Sequence, residues 1–248
     1  MASWRAGLCG ICSAAGILLA ACSSSSFEGA SQAPVVGQDR AQGRSAGAGV
    51  VHDMSADAAD NRPRVVVLGD SLTAGLGLSP EEAYPALLQR RIEEAGLTYR
   101  VINAGVSGDT TAGGLRRLDF ALDGDVRVLI VALGGNDGLR GVLVQEMRRN
   151  LAHIIEQAKG RGISVVLAGM EAPPNFGQSY TVSFHQVYPE LAKTYGVTFV
   201  PFLLDDVAGI DSLNQRDGIH PTADGDRIIA GHVWSALEPV LKAAVHRR

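Results

Sequence analysis

Val65-Val66-Val67-Leu68-Gly69-Asp70-Ser71-Leu72-Thr73-Ala74-Gly75 is the stretch whose reading decides the fold. Its apolar, β-branched beginning predicts a buried strand over 64–69, and the run stops at a serine inside a glycine-punctuated turn. A serine just past a strand end is where an α/β protein displays a reactive group. The pattern then repeats down the chain. Strands are expected at Tyr99 to Ala104, Val128 to Leu133, Ile163 to Ala168 and Thr198 to Val200. Continuously apolar strands separated by helices argue for a parallel sheet covered on both faces. The expected architecture is therefore a three-layer α/β/α fold with a five-stranded parallel sheet.

The helices between the strands carry their own punctuation. Ser79-Pro80-Glu81-Glu82 reads as a helix start, with Ser79 as N-cap and Glu82 in the capping-box position. That helix is expected to reach Ala95, where Gly96 supplies the stop. Further helices are expected over 111–122, 142–159, 182–195 and 222–245, the last disturbed at Pro239. Leu143, Met147, Leu151, Ile154, Ile155 and Ala158 share one face of the second of these.

Composition narrows the function classes. The chain has 248 residues, 46% of them hydrophobic and 19% charged, which suits one sizeable globular core. A net charge of −4 with scattered basic residues argues against nucleic acid as a partner. The first residues stand outside that core. Arg5 precedes an apolar run from Ala6 to Ala21 with the length of a secretory signal. It ends Leu19-Ala20-Ala21-Cys22, which resembles a bacterial lipobox with Cys22 as the lipidated residue. Residues 1–21 are read as signal peptide. Residues 22–61 are the lipidated cysteine and a polar, aperiodic tether, which would span roughly 35 Å as a flexible coil. Residues 62–248 form the folded domain. Cys9 and Cys12 leave with the signal, so the mature chain holds one cysteine and no disulfide framework. By similarity to lipoprotein sorting, Ser23 directs the protein to the outer membrane where the host has one, with the membrane as partner through Cys22.

Four blocks stand in order at the expected strand ends and before the last helix: Gly69-Asp70-Ser71-Leu72, Asn103-Ala104-Gly105, Gly134-Gly135-Asn136-Asp137 and Asp217-Gly218-Ile219-His220. Together they resemble the SGNH (GDSL-type) hydrolase superfamily, with its flavodoxin-like fold, across nearly all of 64–237. Val106-Ser107-Gly108-Asp109-Thr110 and Gly138-Leu139-Arg140-Gly141 make the chain similar to the bacterial thioesterase I/lysophospholipase/arylesterase branch. The resemblance implies hydrolysis of aryl esters, acyl esters, lysophospholipids and thioesters through an acyl-enzyme, with no cofactor. It implies Ser71 as nucleophile, His220 as base and Asp217 as the acid that orients it. Oxyanion donors would be the Ser71 and Gly105 amides and the Asn136 side chain.

The chemistry suits those residue types. A serine hydroxyl is a poor nucleophile unless a base takes its proton. His220 lies three residues after a carboxylate, so one loop can supply both base and orienting acid. Asp217 with His220 also resembles half of a metal site, yet no third ligand has supporting spacing. His52, His153, His185, His232 and His246 have no partner legible in sequence, and Asp70, Asp109 and Asp137 read as loop braces. Leu76, Leu139, Pro173 and Phe176 are the expected apolar substrate walls, with Gly75 and Gly77 allowing the first loop to move. A monomer is expected. The competing readings are a carbohydrate O-acetylesterase of envelope polysaccharide and a non-catalytic binding module on the same fold.

Overall fold

The computed structural model describes residues 60–245. The expected signal peptide, Cys22 and nearly all of the expected tether lie outside the described residues. Within them, five parallel strands form one sheet: β1 (Arg64–Gly69), β2 (Arg100–Gly105), β3 (Val126–Ala132), β4 (Ser164–Ala168) and β5 (Thr198–Val200), ordered β2-β1-β3-β4-β5. Val67 of β1 pairs with Asn103 of β2 on one side and Ile130 of β3 on the other. The winding reverses between β1 and β3. At such a switch point the loops leaving the two strands diverge and open a crevice beyond their carboxyl ends. Ser71 and Asn136 lie just past these two strands.

The helices are α1 (Ser71–Ala74), α2 (Tyr84–Glu94), α3 (Thr111–Arg116), α4 (Leu118–Ala121), α5 (Gly135–Arg140), α6 (Val144–Gly160), α7 (Gln178–Tyr195) and α8 (Ala223–Val245). α2 packs on α8, while α6 packs on α3 and α7, so two helical groups flank the sheet. Val65, Val67, Leu68, Leu129 and Ile130 are fully buried beneath them. Each such side chain contributes about 1.5–3 kcal/mol by leaving water, which is why the β-branched runs choose central strands.

Several boundaries differ from the sequence expectation, each for a physical reason. Ser79 and Glu82 do bond one another, the Ser79 amide and hydroxyl both donating to Glu82 Oε2 at 3.0 Å. They close a separate turn, however, and α2 starts only at Tyr84 with Pro85 in its first turn. The expected helix over 111–122 is two short helices broken at Arg117. Arg117 turns inward there: its guanidinium donates to Gly69 O (2.8 Å), Ala104 O (2.7 Å) and Asp109 (2.6 Å), stitching together the ends of β1 and β2. Leu139, expected as an apolar wall, lies within α5, which runs to Arg140. Leu143 is the residue before α6 and stays 73% exposed, because the chain has not yet entered helical register. α8 runs through Pro239 unbroken, held by buried Val233, Leu237 and Leu241 on its inner face.

Candidate active site

Ser71 opens α1, a single helical turn, and Asp70 is its cap: Asp70 Oδ1 accepts from Leu72 N at 3.0 Å. Gly75 ends the turn at φ +73°, a left-handed conformation that favours glycine. The serine is thereby lifted off the end of β1 in a fixed direction. Its Oγ lies 2.9 Å from His220 Nε2, although 149 residues separate the two. His220 Nδ1 lies 2.7 Å from Asp217 Oδ2. The other Asp217 oxygen accepts from the backbone amides of Ile219 (2.9 Å) and His220 (3.0 Å). Those amides, with the His220 ring, hold the Asp217 carboxyl well below the usual carboxylate range. An ionised carboxylate can only accept, so Nδ1 carries the proton and Nε2 presents its lone pair to the serine hydroxyl.

Asn136 enters from the other side of the switch point, in the first turn of α5. Gly134 at φ +118° makes that turn possible, and a Cβ there would sit 2.0 Å from the Tyr188 hydroxyl. One Asn136 Nδ2 hydrogen is donated to Asp70 Oδ2 at 3.3 Å, and the second has no partner among the described residues. Asp70 is 2% exposed, and burial pushes its carboxyl up to about 6. One buried carboxylate thus caps the serine turn and orients the asparagine amide.

These groups open into a cavity of about 530 Å³. Its walls come from every strand end: Leu72 and Leu76 after β1, Ser107 and Gly108 after β2, Leu139 after β3, Met170 and Pro173 after β4. Phe202, Leu204 and Ala208 after β5, with Ile219 beside His220, complete it. Apolar walls around a polar cluster of serine, histidine and amide donors suit an acyl group held over a nucleophile.

Comparison with known proteins agrees with this arrangement. The model of the GDSL-like Lipase/Acylhydrolase family matches residues 67–228. Esterase TesA of Pseudomonas aeruginosa is 42% identical over 178 residues, 71% of this chain and 89% of that protein. The chain belongs to the GDSL-like lipase/acylhydrolase family. Thioesterase 1/protease 1/lysophospholipase L1 of Escherichia coli (strain K12) is 37% identical over 178 residues, 71% of this chain and 84% of its own. The crystal structure of AlinE4, an SGNH-hydrolase family esterase, is 44% identical with a TM-score of 0.61, covering 73% of this chain and 97% of that one. The protein is a carboxylic ester hydrolase of this SGNH/GDSL type.

Two expected site residues of this acylhydrolase lie elsewhere. The Gly105 amide donates to Asn103 Oδ1 at 2.9 Å and does not reach the cavity. Gly105 is needed instead for close packing, since a Cβ there would meet Ala74 N at 2.3 Å. Gly108, at φ +83° with its carbonyl accepting from Arg140 Nη2 at 2.9 Å, faces the cavity in its place. Phe176 is also outside the cavity: its ring packs on Tyr180 at 5.3 Å between centroids and lies over Gly141. Leu76, Leu139 and Pro173 do line the cavity. Asp137 and Asp109 act as braces, Asp137 accepting from the amide and hydroxyl of Thr111 (2.8 and 2.6 Å) and Asp109 from Arg117. The Leu76 loop is tied down, because Gln215 Nε2 donates to both Leu76 O (2.7 Å) and Pro221 O (2.8 Å).

Sequence reading missed Met170, Phe202, Leu204 and Ala208. Each follows the carboxyl end of β4 or β5, which is the one signal that could have found them. It also missed a partner for His185, whose Nδ1 lies 2.5 Å from Oε1 of Glu171, another cavity residue.

Proposed function

We propose that Ser71 is the nucleophile, His220 the general base and Asp217 the residue that holds the His220 tautomer. The hydrogen-bonded line from Ser71 through His220 to Asp217, opening onto an apolar cavity, is the observation that carries this reading. Ser71 Oγ attacks the ester carbonyl carbon as its proton passes to His220 Nε2. The tetrahedral oxyanion takes hydrogen bonds from the Ser71 amide, the second Asn136 amide hydrogen and the Gly108 amide, Gly108 replacing the expected Gly105. Collapse expels the alcohol, which takes the proton from His220. Water then attacks the acyl-enzyme, losing its proton to the same nitrogen, and Ser71 is regenerated. Nothing in this sequence requires a cofactor.

The substrates are esters with an apolar acyl portion: aryl esters, longer acyl esters, lysophospholipids and thioesters. An O-acetylesterase would have little use for a cavity of about 530 Å³ walled by Leu76, Leu139, Met170 and Phe202. The Leu19-Ala20-Ala21-Cys22 motif supports export and anchoring at Cys22, which would hold the enzyme next to membrane-derived acyl lipids.

Hydrolysis of p-nitrophenyl esters from acetate to palmitate by the full chain and its Ser71→Ala variant tests the catalytic reading. Turnover that rises beyond acetate and disappears with Ser71 supports it, while Ser71-independent turnover refutes the assignment. Incorporation of radiolabelled palmitate into the full chain in bacterial cells, lost in Cys22→Ser, tests the anchor.

A further inference from the structure

Ser71 and His220 meet across 149 residues, yet one rides on a single helical turn and the other on a short loop. Something must hold turn and loop in register, and the buried face behind them contains a continuous connection. Thr73, two residues past the nucleophile in α1, is fully buried, and its Oγ1 lies 2.7 Å from the Tyr84 hydroxyl. Tyr84 is itself fully buried and is the first residue of α2. No side chain of the local sequence caps that helix: its N-cap is Ala83. The Tyr84 amide donates instead to Asp226 Oδ2 at 2.8 Å. Asp226 lies in the first turn of α8, immediately after the His220 loop, and its own amide donates to Thr222 O at 2.9 Å.

Asp226 is an unusual choice for this place. It is 1% exposed, the Tyr84 amide is its one hydrogen-bond donor, and its Oδ1 is buried with no partner among the described residues. A carboxylate in that position is costly, and a well-packed apolar side chain would hold α8 against α2 at least as firmly. Burial pushes its carboxyl up to about 7, a mark of the same cost. Local rules are broken in this way mostly where function requires it. What Asp226 offers beyond packing is a directional bond to the residue whose other end grips the nucleophile's turn.

We infer that Asp226 is a positioning residue for the Ser71–His220 pair, acting through Tyr84 and Thr73 to lock the base-bearing loop against the nucleophile-bearing turn. The chain of bonds runs from the His220 loop through Asp226 to the Tyr84 amide, then from the Tyr84 hydroxyl to Thr73 and so to Ser71. This inference rests on the esterase reading for its consequence in turnover, and on geometry alone for its effect on His220.

The test compares Asp226→Ala, Asp226→Asn and Tyr84→Phe in the full chain. Misplacing a reacting pair by about 1 Å can cost up to roughly 100-fold. Asp226→Ala and Tyr84→Phe should therefore each lower kcat on p-nitrophenyl butyrate about 10- to 100-fold with KM nearly unchanged. The double variant should be no worse than the poorer single one, because both break the same line. Asp226→Asn, which retains an oxygen acceptor for the Tyr84 amide, should restore most of kcat. A second readout needs no turnover: the downfield proton resonance of His220 Nδ1–H, shifted or broadened in Tyr84→Phe and Asp226→Ala but kept in Asp226→Asn. Folded Tyr84→Phe protein with unchanged kcat and an unchanged His220 resonance overturns the inference, even if Asp226→Ala fails to fold. Absence of Ser71-dependent turnover in the parent protein would instead count against the esterase reading, and the His220 resonance would still decide the positioning role.

Discussion

Replacing Asp226 by asparagine should change the pH dependence of stability in a calculable way. The carboxyl has an ordinary value of 3.8, and burial raises it to about 7 in the folded protein. Between those values the folded chain holds a proton that the unfolded chain has released. Stability therefore falls as pH rises from about 4 to 7 and levels off above. A carboxyl moved from 3.8 to about 7 by folding costs about 4 kcal/mol of stability above neutrality. Asparagine cannot ionise, so the variant escapes this cost. Its amide nitrogen finds no partner at the Oδ1 position, but the neutral carboxyl leaves the same position unpartnered, so that cost is common to both proteins. At pH 4 the two should therefore be of similar stability. At pH 8 it should be the more stable one, the difference between the two having swung by about 4 kcal/mol. Urea unfolding of both proteins at pH 4, 6 and 8 measures this directly. A stability difference that does not move with pH would show that Asp226 ionises freely in the fold, and the reasoning from burial would be wrong.

Asn136→Ala should lower kcat by about 10²–10³ with little effect on KM, since the amide acts on the charge that develops in the transition state; steady-state kinetics on a soluble ester separates the two constants. Gly105→Ala should abolish soluble expression or strongly lower the melting temperature, because its Cβ would lie 2.3 Å from a backbone nitrogen. Met170→Trp should shift the acyl preference toward shorter chains by filling the cavity, whereas Phe176→Ala, outside the cavity, should leave the chain-length profile as it was; the p-nitrophenyl series reads both. Gln215→Ala should free the Leu76 loop and raise its amide hydrogen exchange, since both side-chain bonds from Gln215 to the Leu76 and Pro221 carbonyls disappear.

The features legible in the sequence are those that depend on neighbours along the chain. Val65 to Leu68 and Val128 to Leu133 are apolar on both faces, and only central strands of a covered parallel sheet use such runs. The Asp217–His220 contact was readable because three residues in one loop suffice to make it, and the Ser71 turn because Asp70 and Gly75 are its own caps. Helix starts were less legible. Ser79 and Glu82 form one of the two bonds of a capping box, the Ser79 amide donating to the Glu82 carboxylate, but α2 takes its cap from Asp226, 142 residues away from Tyr84.

What only the tertiary structure decided is which of several similar groups faces the reacting atoms. Gly105 and Gly108 look equivalent as backbone donors in sequence; Asn103 occupies the first amide, while the second glycine is the one that lines the cavity. Leu139 and Phe176 look equally suited as apolar walls, yet the phenyl ring covers Gly141 while the leucine meets the cavity. The break at Arg117 answers to carbonyls at the ends of β1 and β2, far from it in the chain. Sequence periodicity reports whether a residue is buried, because burial follows from one element's own face. It cannot report against what, because that depends on the strand order β2-β1-β3-β4-β5, which brings five loops to one end of the sheet.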